Sequence, residues 1–143
     1  QMDIARELKL PIAIHSRDAA QDTIQIMRAS HAEEIGGVIH CYSYSKESAR
    51  DFLNMGFYFG IGGVVTFKNA KKLKEAVAYI PLSNIVLETD APYLTPEPFR
   101  GKRNDSSKLT YVAQAIADIK QIPVDEVYAE TWKNAHQMYK IQK

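Results

Sequence analysis

The chain has 143 residues, of which 45% are hydrophobic, a size and composition typical of one globular domain. Its 18 Lys and Arg residues nearly balance 17 Asp and Glu residues, which excludes a broad cationic surface for nucleic acid or anionic membrane and leaves only local phosphate binding. The single cysteine, Cys41, excludes an intrachain disulfide and favours a reducing, cytoplasmic location, and no run of residues has the apolar length of a membrane span.

Apolar strands and amphipathic helices alternate along the first half of the chain. The predicted elements are, in order, a helix over residues 2–9, a strand over 11–14, a helix over 19–29, a strand over 36–39, and a helix between Ser45 as N-cap and Gly56 as terminator. The two strands run directly into His15 and His40. Each predicted strand of this half therefore ends on a histidine.

The same alternation continues in the second half. The predicted elements are a strand over residues 57–62, a helix with apolar residues at 70, 73, 77 and 80, a strand over 85–87, a loop over 91–105 and two terminal helices. The last strand runs on through Glu88 and Thr89 to Asp90. Because side chains alternate between the faces of a strand, Glu88 and Asp90 share one face. Glu88 then either supports a ligand or is a buried structural partner.

This alternation predicts an α/β fold with a parallel sheet. The interval from His15 to His40 is about 25 residues, close to the βα repeat of a TIM barrel, which has eight such units in about 250 residues. Four units plus a terminal helix in residues 1–143 amount to half of one barrel domain. A flavodoxin-like open sheet also fits the alternation, but it does not explain why the chain begins at Gln1 in what reads as the middle of a helix. The sequence is therefore expected to be part of a longer chain.

Potential metal ligands stand where three of the predicted strands end. In a TIM barrel, reactive side chains lie at the carboxyl ends of the strands, and here those positions hold His15, His40 and Asp90. Imidazole and carboxylate groups together suit zinc or manganese, and carboxylates also suit magnesium. The three residues are the candidate metal ligands.

Four segments then carry a family resemblance. They are Pro11-Ile-Ala-Ile-His-Ser-Arg-Asp-Ala19, Val38-Ile-His-Cys-Tyr-Ser43, Leu87-Glu-Thr-Asp-Ala-Pro-Tyr-Leu-Thr-Pro96 and Arg100-Gly-Lys-Arg-Asn104. In this order and spacing they resemble the TatD family of metal-dependent DNases, and the closing helix with Thr131-Trp-Lys-Asn-Ala135 fits as well. The resemblance covers the C-terminal half of a TIM-barrel metallohydrolase. The family's His-x-His and its metal-bridging glutamate would lie upstream of Gln1.

The resemblance implies a phosphodiester hydrolase with two divalent ions (Mg, Mn or Zn), acting as a 3′→5′ DNA exonuclease when full length. His15 and His40 look like ligands of one ion. Asp90 looks like the catalytic carboxylate, which binds an ion and orients or deprotonates the attacking water. Because the other family ligands would lie upstream, the isolated chain is expected to have little or no nuclease activity.

Candidate substrate contacts follow the Asp90 strand. Arg100, Lys102 and Arg103 place three cations in four residues, and they are interpreted as phosphate contacts for DNA, with a solvated surface loop as the alternative. Arg17 either contacts phosphate in the same way or pairs with Asp18.

Two departures from the family pattern put substrate choice in question. Asp105-Ser-Ser107 stands where the family usually has an acidic residue followed by proline. Tyr44 stands where a glycine is common, and a tyrosine there would narrow the pocket or stack on a base. Cys41 is expected to point toward the helices as a small buried side chain.

Two other hypotheses stay open at this stage. One is an amidohydrolase-type barrel acting on a small C–N or C–O substrate with the same ligands. The other is an inactive folded fragment. A half barrel has two unpaired strand edges and an open inner face, so the isolated chain is expected to self-associate.

Overall fold

The computed structural model describes residues 1–141 and contains four strands, each followed by a helix, between an initial and a terminal helix. The elements are α1 (Met2–Leu8), β1 (Ile12–His15), α2 (Ala20–Ala29), β2 (Gly37–His40), α3 (Lys46–Asn54), β3 (Tyr58–Ile61), α4 (Lys71–Tyr79), β4 (Ile85–Leu87), α5 (Leu109–Lys120) and α6 (Val124–Met138). Among these residues, no helix is both long and apolar enough to cross a membrane. The predicted alternation of strands and helices is confirmed.

The four strands form one parallel sheet in the order β1-β2-β3-β4. Consecutive strands are neighbours, as in a barrel, whereas a flavodoxin-like sheet would place the first strand between later ones. The flavodoxin-like alternative is therefore wrong for this chain. His15 and His40 are directly paired in the register of β1 and β2, so two strands carry their histidines to the same rim.

The two faces of the sheet differ in their surroundings. One face packs into the main hydrophobic core beneath the helices; its strand residues are Ile12, Ile14, Ile39, Phe59, Ile61, Ile85 and Leu87. On the opposite, inner face, Val38 and Val86 pack against Met138, near the end of α6. Ala13 and His15 of β1 are exposed on this face. The inner face is thus apolar at Val38 and Val86 and carries polar residues at the carboxyl ends of the strands.

Local signals explain the helix boundaries. The Ser45 side chain accepts a hydrogen bond from the Ser48 backbone N–H at the start of α3, which satisfies a donor that the helix itself cannot. After α3, Gly56 takes a φ of +74°, a conformation that glycine adopts without strain. Both predicted boundaries of α3 are confirmed.

We expect the isolated chain to self-associate. Strands β1 and β4 are the outer strands of the sheet and present unpaired backbone groups, while Ile4 and Leu8 of α1 are each 60% exposed. A second copy would cover both features. Light scattering of the purified chain should therefore give a mass above 16.2 kDa, with an apparent mass that rises with concentration. A stable monomer across the accessible concentration range would contradict this expectation.

Candidate metal site and cationic loop

His15, His40 and Asp90 lie at the same rim of the sheet. The rings of His15 and His40 have their centroids 5.9 Å apart. The Asp90 Oδ1 atom lies 3.3 Å from His40 Nε2, and Asp90 has a φ of 54°. A left-handed backbone on a residue other than glycine costs on the order of 1 kcal/mol or more and is concentrated at functional sites. The structure therefore pairs His40 with Asp90 and places His15 beside them.

His40 stands between two carboxylates. Its Nδ1 atom lies 2.8 Å from Glu88 Oε2, and its Nε2 atom faces Asp90. A neutral imidazole has only one N–H, so if Nδ1 donates to Glu88, the Nε2 lone pair faces the Asp90 carboxylate. Two acceptors in contact repel each other unless a proton or a metal ion lies between them. Burial lowers the pKa of His40, but the Glu88 and Asp90 carboxylates outweigh burial and raise it.

The spacing of this pair fits two ligands of one metal ion. Ligand atoms bound tetrahedrally at about 2.0–2.1 Å from zinc lie about 3.3 Å apart, which is the separation of His40 Nε2 from Asp90 Oδ1. A metal-ligating histidine usually donates its second N–H to a carboxylate, as Glu88 permits here. Within residues 1–141, however, no group of three or more His, Cys, Asp or Glu side chains is arranged around a single ion. The described residues thus supply a close pair of donors, and the ligand role of His15 stays a prediction.

Glu88 occupies space that a glycine leaves free. A Cβ atom built on Gly60 of β3 would lie 2.1 Å from Glu88 Oε2, so any other residue at position 60 would displace the carboxylate. The second Glu88 oxygen accepts a short hydrogen bond from the Cys41 backbone N–H. Burial raises the pKa of Glu88, while His40 lowers it in part. Glu88 contacts His40 directly, and this geometry is typical of a residue that orients a metal-ligating side chain.

Gly60→Ala is expected to weaken metal binding without unfolding the protein. The new methyl group would push the flexible end of Glu88 away, so His40 would lose the contact that fixes its ring. Loss of such a supporting carboxylate typically lowers metal affinity about 10- to 100-fold. Calorimetric zinc titration of the full-length protein measures this change. In a Glu88→Ala background, the Gly60→Ala substitution should have no further effect, and an equal loss in both backgrounds would contradict the explanation.

A cavity of about 390 Å³, here called the site cavity, opens beside these residues. It is lined by His15, Ser16, Arg17, Cys41, Ser43, Val64, Asp90, Tyr93 and Leu94. The expectation that Cys41 points toward the helices is wrong. Its φ of 49° breaks the strand alternation after His40, and the side chain lines the cavity instead. Burial, followed by the Glu88 and Asp90 charges, raises the pKa of the Cys41 thiol to about 11, so it is not a nucleophilic thiolate at neutral pH.

The predicted phosphate-binding residues line a second cavity next to the first. This cationic cavity, of about 480 Å³, includes Arg100, Lys102 and Arg103 in its lining and shares Tyr93 and Leu94 with the site cavity. The Arg100 guanidinium carbon lies 4.2 Å from the centroid of the Phe67 ring, an arrangement that holds the cation in place.

Arg17 pairs with Asp18, one of the two alternatives left open by the sequence, and its contact with phosphate stays a prediction. It lines the site cavity, and its Nε atom lies 4.0 Å from Asp18 Oδ2. Both side chains are almost fully exposed, so this ion pair contributes little. The Arg17 guanidinium therefore remains accessible to a ligand in the cavity.

Asn104 is the residue whose importance the sequence did not reveal. It is 3% exposed, and its amide nitrogen donates to the backbone carbonyls of Thr89, at 2.6 Å, and Tyr93, at 2.7 Å. It thereby ties the cationic loop to the Asp90 segment. Its place at the end of Arg100-Gly-Lys-Arg-Asn104 was the available signal, but spacing alone does not tell a buried amide from an exposed one.

Tyr44 makes structural hydrogen bonds that neither of the roles anticipated for it includes, and those roles stay predictions. Its hydroxyl lies 2.7 Å from Ser16 Oγ and accepts a hydrogen bond from the Ala19 backbone N–H at 3.2 Å. It is not among the residues that line the site cavity. The tyrosine therefore joins the loop after β2 to the loop that precedes α2.

Sequence comparisons agree with the motifs. The family model described as TatD-related DNase matches residues 1–140. The chain is 48% identical over 141 residues to the uncharacterized metal-dependent hydrolase YabD of Bacillus subtilis, covering 99% of this chain and 55% of that protein. It is 40% identical over 140 residues to the uncharacterized metal-dependent hydrolase YcfH of Escherichia coli K12, covering 98% of this chain and 53% of that protein. The chain thus spans about half the length of these curated relatives.

Solved structures share the fold. The crystal structure of YJJV, a TatD homolog from Escherichia coli K12, superposes with a TM-score of 0.91 at 26% identity, covering 99% of this chain and 54% of that one. A TatD family hydrolase from Entamoeba histolytica gives a TM-score of 0.84 at 21% identity, covering 96% and 54% of the two chains, and shows likeness of fold alone.

Proposed function

Because the chain belongs to the TatD-related DNase family, whose named relatives are metal-dependent hydrolases, we propose that it carries part of the active site of a divalent-metal-dependent phosphodiester hydrolase. The proposed activity of the full-length protein is 3′→5′ cleavage of DNA. The observation that carries this proposal is the placement of His40 between Glu88 and Asp90. Asp90 lines the site cavity, which adjoins the cationic cavity at Tyr93 and Leu94.

Each residue at this rim would have a separate role in metal binding or catalysis. His40 and Asp90, with His15 beside them, would hold the metal, and Glu88 would keep the His40 ring oriented. A divalent ion held there would lower the pKa of water strongly and so would supply a nucleophile at neutral pH. The Asp90 carboxylate is 33% exposed and lines the site cavity, and it would orient the attacking water or accept its proton.

The cationic cavity would bind the phosphates of the substrate. The chain has a net charge of only +1, so binding must come from these local contacts and not from a general attraction. An Arg fork can hold two phosphate oxygens at once, and Lys102 adds a third positive charge. This cluster of cations favours a phosphodiester over the small C–N or C–O substrates of the amidohydrolase-type alternative.

The test is hydrolysis of a 5′-labelled single-stranded DNA oligonucleotide by the full-length protein. We expect a ladder of products shortened from the 3′ end, which a chelator abolishes and added manganese or zinc restores. Arg103→Ala should lower the rate at least about tenfold, because one phosphate contact is lost. Arg50→Ala, an exposed arginine on α3, is the matched control and should leave the rate unchanged. Cleavage of small amides without cleavage of DNA, or full activity in Arg103→Ala, would overturn the proposal.

A further inference from the structure

Tyr93 is a large aromatic side chain that the fold leaves open to solvent at the junction of the two cavities. It is 71% exposed, and it lines both the site cavity, with Asp90, and the cationic cavity, with Arg103. Leu94, which lines both cavities as well, is 37% exposed. An apolar surface therefore lies between the candidate metal ligands and the candidate phosphate contacts.

The backbone of Tyr93 is held on both sides. Its N–H donates to the Asp90 carbonyl at 2.8 Å, and its carbonyl accepts from the buried Asn104 amide at 2.7 Å. A held backbone leaves only the side-chain torsions of Tyr93 to be ordered when a ligand arrives, which limits the entropic cost of contact with the ring. Tyr93 is not among the residues that form the hydrophobic core of residues 1–141, so core packing does not explain an aromatic ring at this position.

We infer that Tyr93 is a stacking platform for the nucleobase next to the scissile phosphate. This inference rests on the proposed function. A phosphodiester that reaches from the cationic loop to Asp90 must pass Tyr93, because that residue lines both cavities. Aromatic rings bind single strands by stacking on successive bases without regard to sequence.

The experiment compares two probes on the full-length protein in the presence of a chelator, which prevents hydrolysis. The first probe is a short fluorescently labelled single-stranded DNA oligonucleotide, and the second is an oligonucleotide of equal length whose nucleotides near the 3′ end are abasic. Fluorescence anisotropy gives the affinity for each. Both probes carry the same phosphates, so the difference between them isolates contacts to the bases.

We expect Tyr93→Ala to weaken binding of the base-bearing oligonucleotide about 5- to 150-fold and to leave binding of the abasic oligonucleotide within twofold of wild type. Tyr93→Phe keeps the ring and should retain the wild-type affinity for both. The salt dependence of binding should not change in either variant, because the phosphate contacts remain. Tyr79→Ala, which removes a 47% exposed tyrosine at the end of α4, is the matched control and should affect neither probe.

The outcomes separate the two proposals. If wild type binds the base-bearing probe more tightly than the abasic one but Tyr93→Ala is unchanged, stacking on Tyr93 is overturned while the proposed function stands. An equal loss for both probes in Tyr93→Ala also overturns it, because the ring then acts on the loop and not on a base. If wild type binds neither probe, the proposed substrate and the stacking platform fail together.

Discussion

Asp90→Asn is expected to lower the rate of DNA hydrolysis by the full-length protein between about 10²- and 10⁴-fold, while the fold stays intact. The substitution removes the negative charge that faces His40 Nε2 at 3.3 Å. An asparagine amide can instead donate a hydrogen bond to that nitrogen, so the metal-free protein keeps its stability. Asparagine also tolerates the φ of 54° at this position. Single-turnover hydrolysis gives the rate, and thermal unfolding with and without zinc reports both stability and metal binding.

The control for this variant is Asp18→Asn. Asp18 has the same φ of 54° and follows β1 as Asp90 follows β4, but its side chain is 96% exposed and lies 4.0 Å from Arg17. The same chemical change should leave both hydrolysis and zinc stabilisation unchanged there. If Asp90→Asn kept more than half of the activity, or if Asp18→Asn lost as much, the role given to Asp90 would be wrong.

Asn104→Ala is expected to lower the free energy of unfolding by about 2–4 kcal/mol. It would leave the Thr89 and Tyr93 carbonyls without their donor and open space around a residue that is 3% exposed. The cationic loop would lose its connection to the Asp90 segment, so affinity for an oligonucleotide should fall as well. Urea unfolding measures the first effect and fluorescence anisotropy the second.

Asn54→Ala provides the comparison for Asn104. Asn54 is the exposed last residue of α3, and its replacement should change stability by no more than about 0.5 kcal/mol. Equal stability losses for the two variants would show that the buried amide contacts carry no special weight. A stability loss in Asn104→Ala with unchanged oligonucleotide binding would show that the cationic loop does not act in binding.

The periodicity of the sequence was sufficient to predict the order of the elements and which residues lie at the carboxyl ends of the strands. The strands of a parallel α/β sheet are short apolar runs between segments with apolar residues at helical spacing. Because the strands are parallel, their last residues lie at one rim of the sheet. His15 and His40 are the last residues of β1 and β2, so their position is set by strand pairing alone. The family relationship was also available from four motifs, because their order and spacing are specific.

Contacts between residues that are distant in the chain could not be predicted from periodicity. The fit of the Glu88 carboxylate into the space above Gly60 joins two strands, and neither residue carries a local signal of it. The orientation of Cys41 depends on a left-handed φ that strand alternation cannot anticipate. The roles of Tyr44 and Asn104 depend on hydrogen bonds to loops that the sequence does not place.

Zinc titration of the full-length protein decides whether His40 and Asp90 bind a divalent metal ion, as we propose. We predict that wild type binds zinc and that His40→Ala lowers the affinity at least about tenfold. His31→Ala, which removes an exposed histidine beside Glu33, should bind zinc as wild type does. Unchanged zinc affinity in His40→Ala would show that His40 is not a metal ligand.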